Sequence, residues 1–455
     1  MMLSRSIITK NKLESWQKRN TLIVYFIAFA LGLVVGLRII PGVVMASVYF
    51  LIVGISFIYC FKGDVGNFFK VLPYAVYLEV YMRDFVKWVP YLTLQYLYII
   101  AFSIFLLKGI RHKESHFKGV YYLVFFSFLE VANNLYPSFP ANTRAVIINS
   151  LSLLLPVLWA SYNDLKPGLI NKLLSNIKIA GLFLTGIVFV AHVTGKIDYG
   201  LFSSSEASNG LAPVQLSAYL GTVCILFFLS IMNPEEIKNR TNNIIVLAIT
   251  TTMMILTFSR GGLYFLGGIV GLFLYYNYKK LGQYIKLIVL IPIGFIIYYV
   301  VVTQTGGKIV ERYQQEGTSN RDVLVNIGFK IFWKNPYFGV GTGNFNETIV
   351  HEGLYKEESG VHNEFVRAAA EHGILGILTY WTFFVILFLH IIHRRQPQQQ
   401  YAMYFFVLFC LIIVHNGLKI AVQPLLLMLA VGTPGLKYIT TQNVFRRKIQ
   451  HPEIA

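Results

Sequence analysis

The stretch YIKLIVLIPIGFIIYYVVVT at residues 284–303 decides the fold class. Its apolar side chains form a continuous run, and a helix of about 20 residues crosses the ~30 Å hydrocarbon core of a bilayer. Similar runs recur along almost the whole chain, which is 55% hydrophobic and 13% charged, with a mean hydropathy of +0.58. Only helices and closed barrels satisfy their backbone groups in lipid, and barrel strands would alternate. The sequence therefore predicts an all-α, polytopic helical membrane protein.

About fourteen runs of this kind follow one another along the chain. Because the third run and the last two leave the count open, the prediction is about 12–14 transmembrane helices. The predicted spans are residues 22–39, 41–61, 68–86, 90–107, 119–136, 145–163, 175–195, 212–233, 242–259, 261–278, 284–303, 373–393, 400–417 and 419–436.

The positions of the cations explain the net charge of +18. On a soluble protein such a charge would suggest nucleic-acid binding, but here most Lys and Arg residues fall in short connections between apolar runs. With about fourteen spans, these connections lie on the same side as both basic termini, so the positive-inside rule places the termini in the cytoplasm. We expect membrane lipid around the protein and no nucleic-acid partner.

The N-terminus and the cysteines indicate a retained first span and no cross-links. The basic start followed by an apolar run superficially resembles a signal peptide, but no convincing small-residue cleavage site follows, so residues 22–39 are expected to stay. The three cysteines lie inside apolar runs without metal-ligand spacing. This pattern predicts neither a disulfide framework nor a metal site.

Residues 304–372 interrupt the series of short connections with a polar segment of about 70 residues on the outer side. The pattern predicts an amphipathic helix at 321–334, a Gly-rich turn at 339–343, and a second helix from near His362 to Gly373. Structured loops of this length usually carry function. The predicted division is therefore a transmembrane bundle (1–303), this large outer loop (304–372), and C-terminal transmembrane helices with a cytoplasmic tail (373–455).

Arg260 is a positive charge on the outer side, against the topology rule. It lies in the hairpin TFSRGG at 257–262. A lone arginine at a membrane boundary is more often a snorkelling anchor. The alternative is an anion clamp, because the following glycines let the backbone approach a ligand and a guanidinium fork matches phosphate oxygens.

Other candidate site residues lie in the outer loop. Arg321, at the start of the predicted helix, is either a solvated residue paired with Asp322 or the second half of a diphosphate clamp. His362 is either a surface histidine or a base, since a helix N-terminus disfavours imidazolium. Further predicted substrate-binding residues are Ser259, Lys308, Arg312, Asn363 and Arg367.

Several motifs occur together in this part of the chain. They are NR at 320–321, WKNPYFGVGTGNF at 333–345, VHNEF at 361–365 and EHGILG at 371–376. In this order they resemble the O-antigen polymerase and O-antigen ligase superfamily. SRGG at 259–262 matches the upstream motif of that family, and the resemblance covers about residues 240–395.

The resemblance implies a function at the periplasmic face of the bacterial inner membrane. Members of the superfamily transfer a glycan from undecaprenyl diphosphate to a sugar hydroxyl, without metal or nucleotide cofactor. The resemblance implies that Arg260 and Arg321 hold the diphosphate leaving group and that His362 activates the acceptor. The implied partners are the lipid-linked glycan, an acceptor glycan and membrane lipid, together with flippase and chain-length regulator proteins.

Three functions stay open from the sequence. The first is a polymerase that joins lipid-linked repeat units, and the second is a ligase that moves finished glycan to lipid A–core. Ligases often carry a further arginine in an outer loop where this chain reads SSSEASNG at 203–210, which favours the polymerase. The third is a lipid-linked sugar flippase, which would instead place charged residues along a central cavity.

Overall fold

The computed structural model describes residues 21–86, 89–90, 92–110, 114–132, 140–194, 197–233, 236, 239–315, 321–356, 359–394 and 398–432. Within these ranges the regular elements are helices and no strand occurs, which confirms the all-α prediction. The basic N-terminal segment before residue 21 and the predicted cytoplasmic tail after residue 432 lie outside the described residues.

The helices follow the predicted spans closely, with additional short helices in the outer loop. They are α1 (Thr21–Gly36), α2 (Gly42–Lys62), α3 (Val65–Phe85), α4 (Thr93–Lys108), α5 (Val120–Ala132), α6 (Pro140–Tyr162), α7 (Pro167–Thr194), α8 (Pro213–Met232), α9 (Arg240–Leu256), α10 (Gly261–Asn277), α11 (Leu281–Gln304), α12 (Lys308–Gln315), α13 (Arg321–Lys334), α14 (Phe345–His351), α15 (Glu364–Gly376), α16 (Thr382–Ile392), α17 (Gln398–Asn416) and α18 (Gln423–Gly432). A single π-helical turn, Ile377–Trp381, joins α15 to α16.

The chain is a polytopic membrane protein. By length and composition, 7 helices of the described residues are long and apolar enough to cross a bilayer, and several shorter apolar helices accompany them. Each predicted span overlaps a helix. Some of these helices are short, and α3 also carries the buried Glu79, which forms an ion pair with the partly buried Arg83.

Small residues allow α1 and α7 to pack closely. A Cβ atom on Gly32 would lie 2.1 Å from the Phe183 carbonyl oxygen, and one on Gly186 would lie 2.3 Å from the Phe29 carbonyl oxygen. Helices in lipid associate mainly through such backbone approach, because apolar burial gives little advantage there. This contact fixes α7 within the N-terminal part of the bundle.

The segment at 304–372, which the sequence predicted to be an outer loop, has a small hydrophobic core of its own. The helix predicted at 321–334 is α13, with these same bounds, and it packs against α15, as does the short helix α14. Neither α12 nor α14 was expected, because eight and seven residues are too few to show a helical period. The core consists of Leu324, Ile327, Ile331, Phe345, Ile349, Val361, Val366 and Ala370.

The second predicted loop helix stops at Gly373, as the sequence predicted. Gly373 has φ 60° and ψ −144°, which is not helical, so the helical conformation ends there and resumes across a kink. The Gly-rich turn fills the kink: the Val340 and Gly341 amides donate to the Ala370 and Glu371 carbonyls at 3.1 and 2.9 Å. A Cβ atom on Gly373 would lie 2.5 Å from the Pro336 carbonyl oxygen. The glycine therefore both ends the first helical stretch and allows close contact with the turn.

Candidate active site

Arg260, Arg321 and His362 come from three separate elements and meet at one end of the bundle. Arg260 precedes α10, Arg321 begins α13, and His362 precedes α15. Burial lowers the pKa of Arg321, and the nearby charge of Arg260 lowers it further. Arg321 in turn lowers the pKa of His362. The three side chains are therefore close enough to affect one another's charge.

The hairpin that carries Arg260 is fixed to α8. The Gly262 amide donates to Ser217 Oγ at 2.9 Å, and Ser217 Oγ donates to the Ser259 carbonyl at 3.2 Å. Ser259 itself is buried. Because both sides of the turn bond to one serine, the backbone on either side of Arg260 has a defined place at the start of α10.

The imidazole ring of His362 lies beside cationic neighbours. Its Nδ1 atom is buried and has no hydrogen-bond partner among the described residues. Burial lowers its pKa to about 4, and the charges of Lys419 and Arg321 contribute in the same direction. The direction agrees with a neutral base, although burial rather than the helix N-terminus is the main cause. A hydrogen bond from the ring to the Asn416 backbone opposes this shift.

Asn363 holds the start of α15 beside His362. Its side-chain oxygen accepts from the Phe365 and Val366 amides at 3.1 and 3.3 Å. An N-cap of this kind contributes about 1 kcal/mol to helix stability. The side chain predicted to bind substrate therefore also positions the histidine next to it.

Two residues of this centre, His415 and Lys419, were missed in the sequence. Nη1 of Arg321 faces both ring nitrogens of His415, with 2.8 Å to Nε2. Lys419 is exposed in the connection between α17 and α18 and lowers the pKa of His362. A signal existed for Lys419, because it begins the last predicted span at its outer end, where the topology rule disfavours cations.

Ion pairs and hydrogen bonds hold the connection of Lys419 in place. Arg83 pairs with Glu79 at 2.8 Å and donates to the Lys419 carbonyl at 3.3 Å. The Leu418 amide donates to Glu364 at 3.2 Å. The connection therefore bridges the transmembrane bundle and the first turn of α15.

The predicted phosphate ligand Arg367 is buried among carboxylates. It forms ion pairs with Glu130, Glu364 and Glu371 at 2.5 to 2.7 Å. Removing one member of such a buried network typically costs 3–5 kcal/mol. Glu364 also accepts from the Leu418 amide. Arg367 therefore stabilises the contact between α15 and the connection that carries Lys419.

Arg312 and Lys308 lie further along α12 and also have protein partners. Arg312 is buried, donates to the Leu201 carbonyl, and lies over the Phe258 ring at 6.0 Å. Lys308 pairs with Glu311 at 2.9 Å. It lines a separate open cavity of about 440 Å³. Their assignment to substrate stays a prediction.

Metal-ligating side chains do not cluster in the described part of the chain. No group of three or more His, Cys, Asp or Glu residues there could hold a metal ion. The charges facing His362 and Arg321 are instead cationic, which suits an anionic ligand.

Comparison with known proteins identifies the region that carries this centre. Residues 245–381 match the family described as O-antigen ligase. The resemblance to the O-antigen polymerase and ligase superfamily is confirmed. The matched region includes Arg260, Arg321 and His362 but ends before His415 and Lys419, which explains why the family motifs could not identify those two. No curated protein matches the chain.

Proposed function

We propose that the protein is a polysaccharide polymerase that joins undecaprenyl-diphosphate-linked repeat units at the outer face of the bacterial inner membrane. The proposal rests on one observation: two guanidinium groups and a neutral imidazole meet at the end of a transmembrane bundle. Two positive charges in proximity repel each other, and an anion bound between them would offset that repulsion. A lipid diphosphate is an anion whose tail would lie in the adjacent bilayer.

The proposed reaction assigns one role to each group. Arg260 and Arg321 bind the diphosphate and stabilise the charge that develops when the bond from the anomeric carbon to the phosphate oxygen breaks. His362 accepts the proton of the acceptor hydroxyl as its oxygen bonds to the anomeric carbon. Direct attack inverts the configuration at that carbon. Lys419 adds a further positive charge beside His362.

Ligase activity is the second candidate, because the matched family is described as O-antigen ligase. The two activities share the donor and differ in the acceptor, which is another repeat unit or a finished lipid A–core. The serine-rich segment at 203–210 contains no arginine, which favours the polymerase.

A reconstituted assay tests the proposal. Purified protein in liposomes is given an undecaprenyl-diphosphate-linked oligosaccharide, with or without lipid A–core, and products are separated by mass. Oligomers of the repeat support the polymerase, and transfer only to lipid A–core supports the ligase. Movement of donor across the bilayer without any joining would contradict both and support a transporter.

Variants test the assigned residues in the same assay. Arg260→Ala and Arg321→Ala should each lower kcat by roughly 10²–10³-fold, the usual cost of removing a charge-stabilising donor. His362→Ala should lower it by about 10²–10⁴-fold, as for the loss of a general base. Lys330→Ala and His351→Ala, both exposed in the same loop, are the matched controls. Full activity in any of the first three variants would exclude the role assigned to it.

A further inference from the structure

His415 lies between Arg321 and the start of α10, which follows Arg260. It is the penultimate residue of α17, and Nη1 of Arg321 on α13 faces its ring nitrogens, with 2.8 Å to Nε2. The ring also lies against the start of α10, directly after Arg260. His415 therefore contacts the elements that carry both arginines.

Residues of α10 form the space that the His415 ring occupies. A Cβ atom on Gly261 would lie 2.6 Å from Cδ2 of His415, so the glycine leaves the space that the ring fills. The rings of Tyr264 and Phe265 meet the imidazole edge-to-face, with centroids 6.0 and 5.7 Å away. Such packing restricts the imidazole to one orientation.

The contact between Arg321 and His415 has only one chemically sound form. A guanidinium has donors and no acceptor, so the facing ring nitrogen must accept. His415 is therefore uncharged where it faces Arg321. One edge of the Arg321 fork is engaged with the ring, which leaves its other N–H groups for a ligand.

The charge of Arg260 makes this contact useful. Two guanidinium groups in proximity repel each other, and without a ligand Arg321 would lower its energy by turning away. The ring nitrogen of His415, which lies against the start of α10 next to Arg260, accepts from Arg321 and opposes that movement. The residue after His415 is Asn416, whose backbone bonds to the ring of His362. The pair 415–416 thus contacts both the clamp and the base.

We propose that His415 is a positioning residue that holds the Arg321 guanidinium in place for the donor diphosphate. This inference rests on the proposed function, since it assumes that Arg321 binds a diphosphate. Its contribution is preorganisation: binding then does not have to supply the cost of ordering Arg321. Unlike Arg321, His415 need not touch the ligand.

A pair of substitutions separates hydrogen bonding from packing. His415→Leu retains much of the side-chain volume but has no acceptor, whereas the amide oxygen of His415→Gln can accept from Arg321. Binding of undecaprenyl diphosphate to purified protein in nanodiscs is measured by titration. His415→Leu should weaken binding roughly ten-fold, the effect of losing one hydrogen bond to a charged group. His415→Gln should stay within about two-fold of the original protein.

A double-mutant cycle shows whether His415 acts through Arg321. In an Arg321→Ala background, His415→Leu should cause no further loss of binding, because the group that it positions is absent. Equal losses in both backgrounds, or no loss in the single variant, would overturn the inference. If the original protein neither binds undecaprenyl diphosphate nor joins glycans, the proposed function fails as well, so the two failures are distinguishable.

Two glycines of α10 provide an independent test without changing the histidine. Gly261→Ala should displace the ring and weaken binding to a similar extent as His415→Leu. Gly267→Ala is the matched control, because a Cβ atom there meets nothing within 4 Å. Apparent Tm values of all variants show whether each is folded at the assay temperature. Unchanged binding by folded Gly261→Ala would count against the positioning role.

Discussion

At the scale of single residues, the neighbours of His362 determine its protonation state. Burial, Lys419 and Arg321 together lower its pKa to about 4 from an ordinary value of 6.5. At a pH of about 7 the ring is therefore neutral and its buried Nδ1 can accept a proton. In the proposed reaction, the positive charge of Lys419 would act on both the base and the anionic donor.

The pH dependence of the reaction follows from this shift. Since the neutral ring is the active form, kcat/KM should be constant above a pH of about 5 and fall through a pKa near 4. Lys419→Met removes a neighbouring positive charge, which raises the pKa of His362 and moves the acid limb to higher pH. Initial rates across this range provide the measurement. A break near the ordinary value of 6.5 would contradict the buried, cation-flanked setting.

Residues of the site differed in how far the sequence could predict them. Arg260 and Arg321 stood out because cations on the outer side go against the charge rule, and the family motifs added His362. His415 gave no such signal, since it lies at the end of an apolar run and acquires its role by meeting Arg321, 94 positions away. Contacts of that separation depend on how the bundle packs.

At the scale of elements, two glycines make the joint between the outer loop and the bundle. Gly339 has φ 66°, and a Cβ atom on it would lie 2.2 Å from the Glu371 carbonyl carbon. Gly373 provides the matching kink in α15. The sequence predicted the turn and the end of the helix at Gly373, but it could not predict the contact of Gly373 with Pro336 that joins them.

Substitution of Gly339 should therefore loosen this joint. In Gly339→Ala, strain at positive φ costs about 1–2 kcal/mol, and the clash with rigid backbone adds roughly 1–3 kcal/mol. Gly353→Ala is a matched control, because it has φ 64° and open space around the added Cβ atom. The apparent Tm of Gly339→Ala should fall by about twice as much as that of the control. Equal Tm shifts in the two variants would mean that the turn moves away from the added Cβ atom without further loss of stability.

At the scale of the whole molecule, hydropathy predicted where helices occur but not what surrounds them. The apolar windows of Glu206–Met232 and Leu281–Gln304 have hydropathies of 1.9 and 2.5, yet 83% of the first and 6% of the second are buried inside the protein. In lipid both settings favour apolar side chains, so composition cannot separate a core helix from a lipid-facing one. For the same reason, hydropathy does not separate the short apolar helices from the helices long enough to cross the bilayer.

The orientation of the molecule determines whether the site can meet a donor at the outer face. Single cysteines at two exposed lysines test it: Lys356→Cys lies in the outer loop, and Lys279→Cys lies between α10 and α11 at the other end of the bundle. Native Cys60 and Cys224 are buried and Cys410 is partly buried, so background labelling should be low. In intact cells a membrane-impermeant maleimide should label position 356 at once and position 279 only after permeabilisation, because the positive-inside rule keeps the lysine-rich connections in the cytoplasm. The reverse order would place Arg260, Arg321 and His362 in the cytoplasm and would exclude an outer-face glycan transfer.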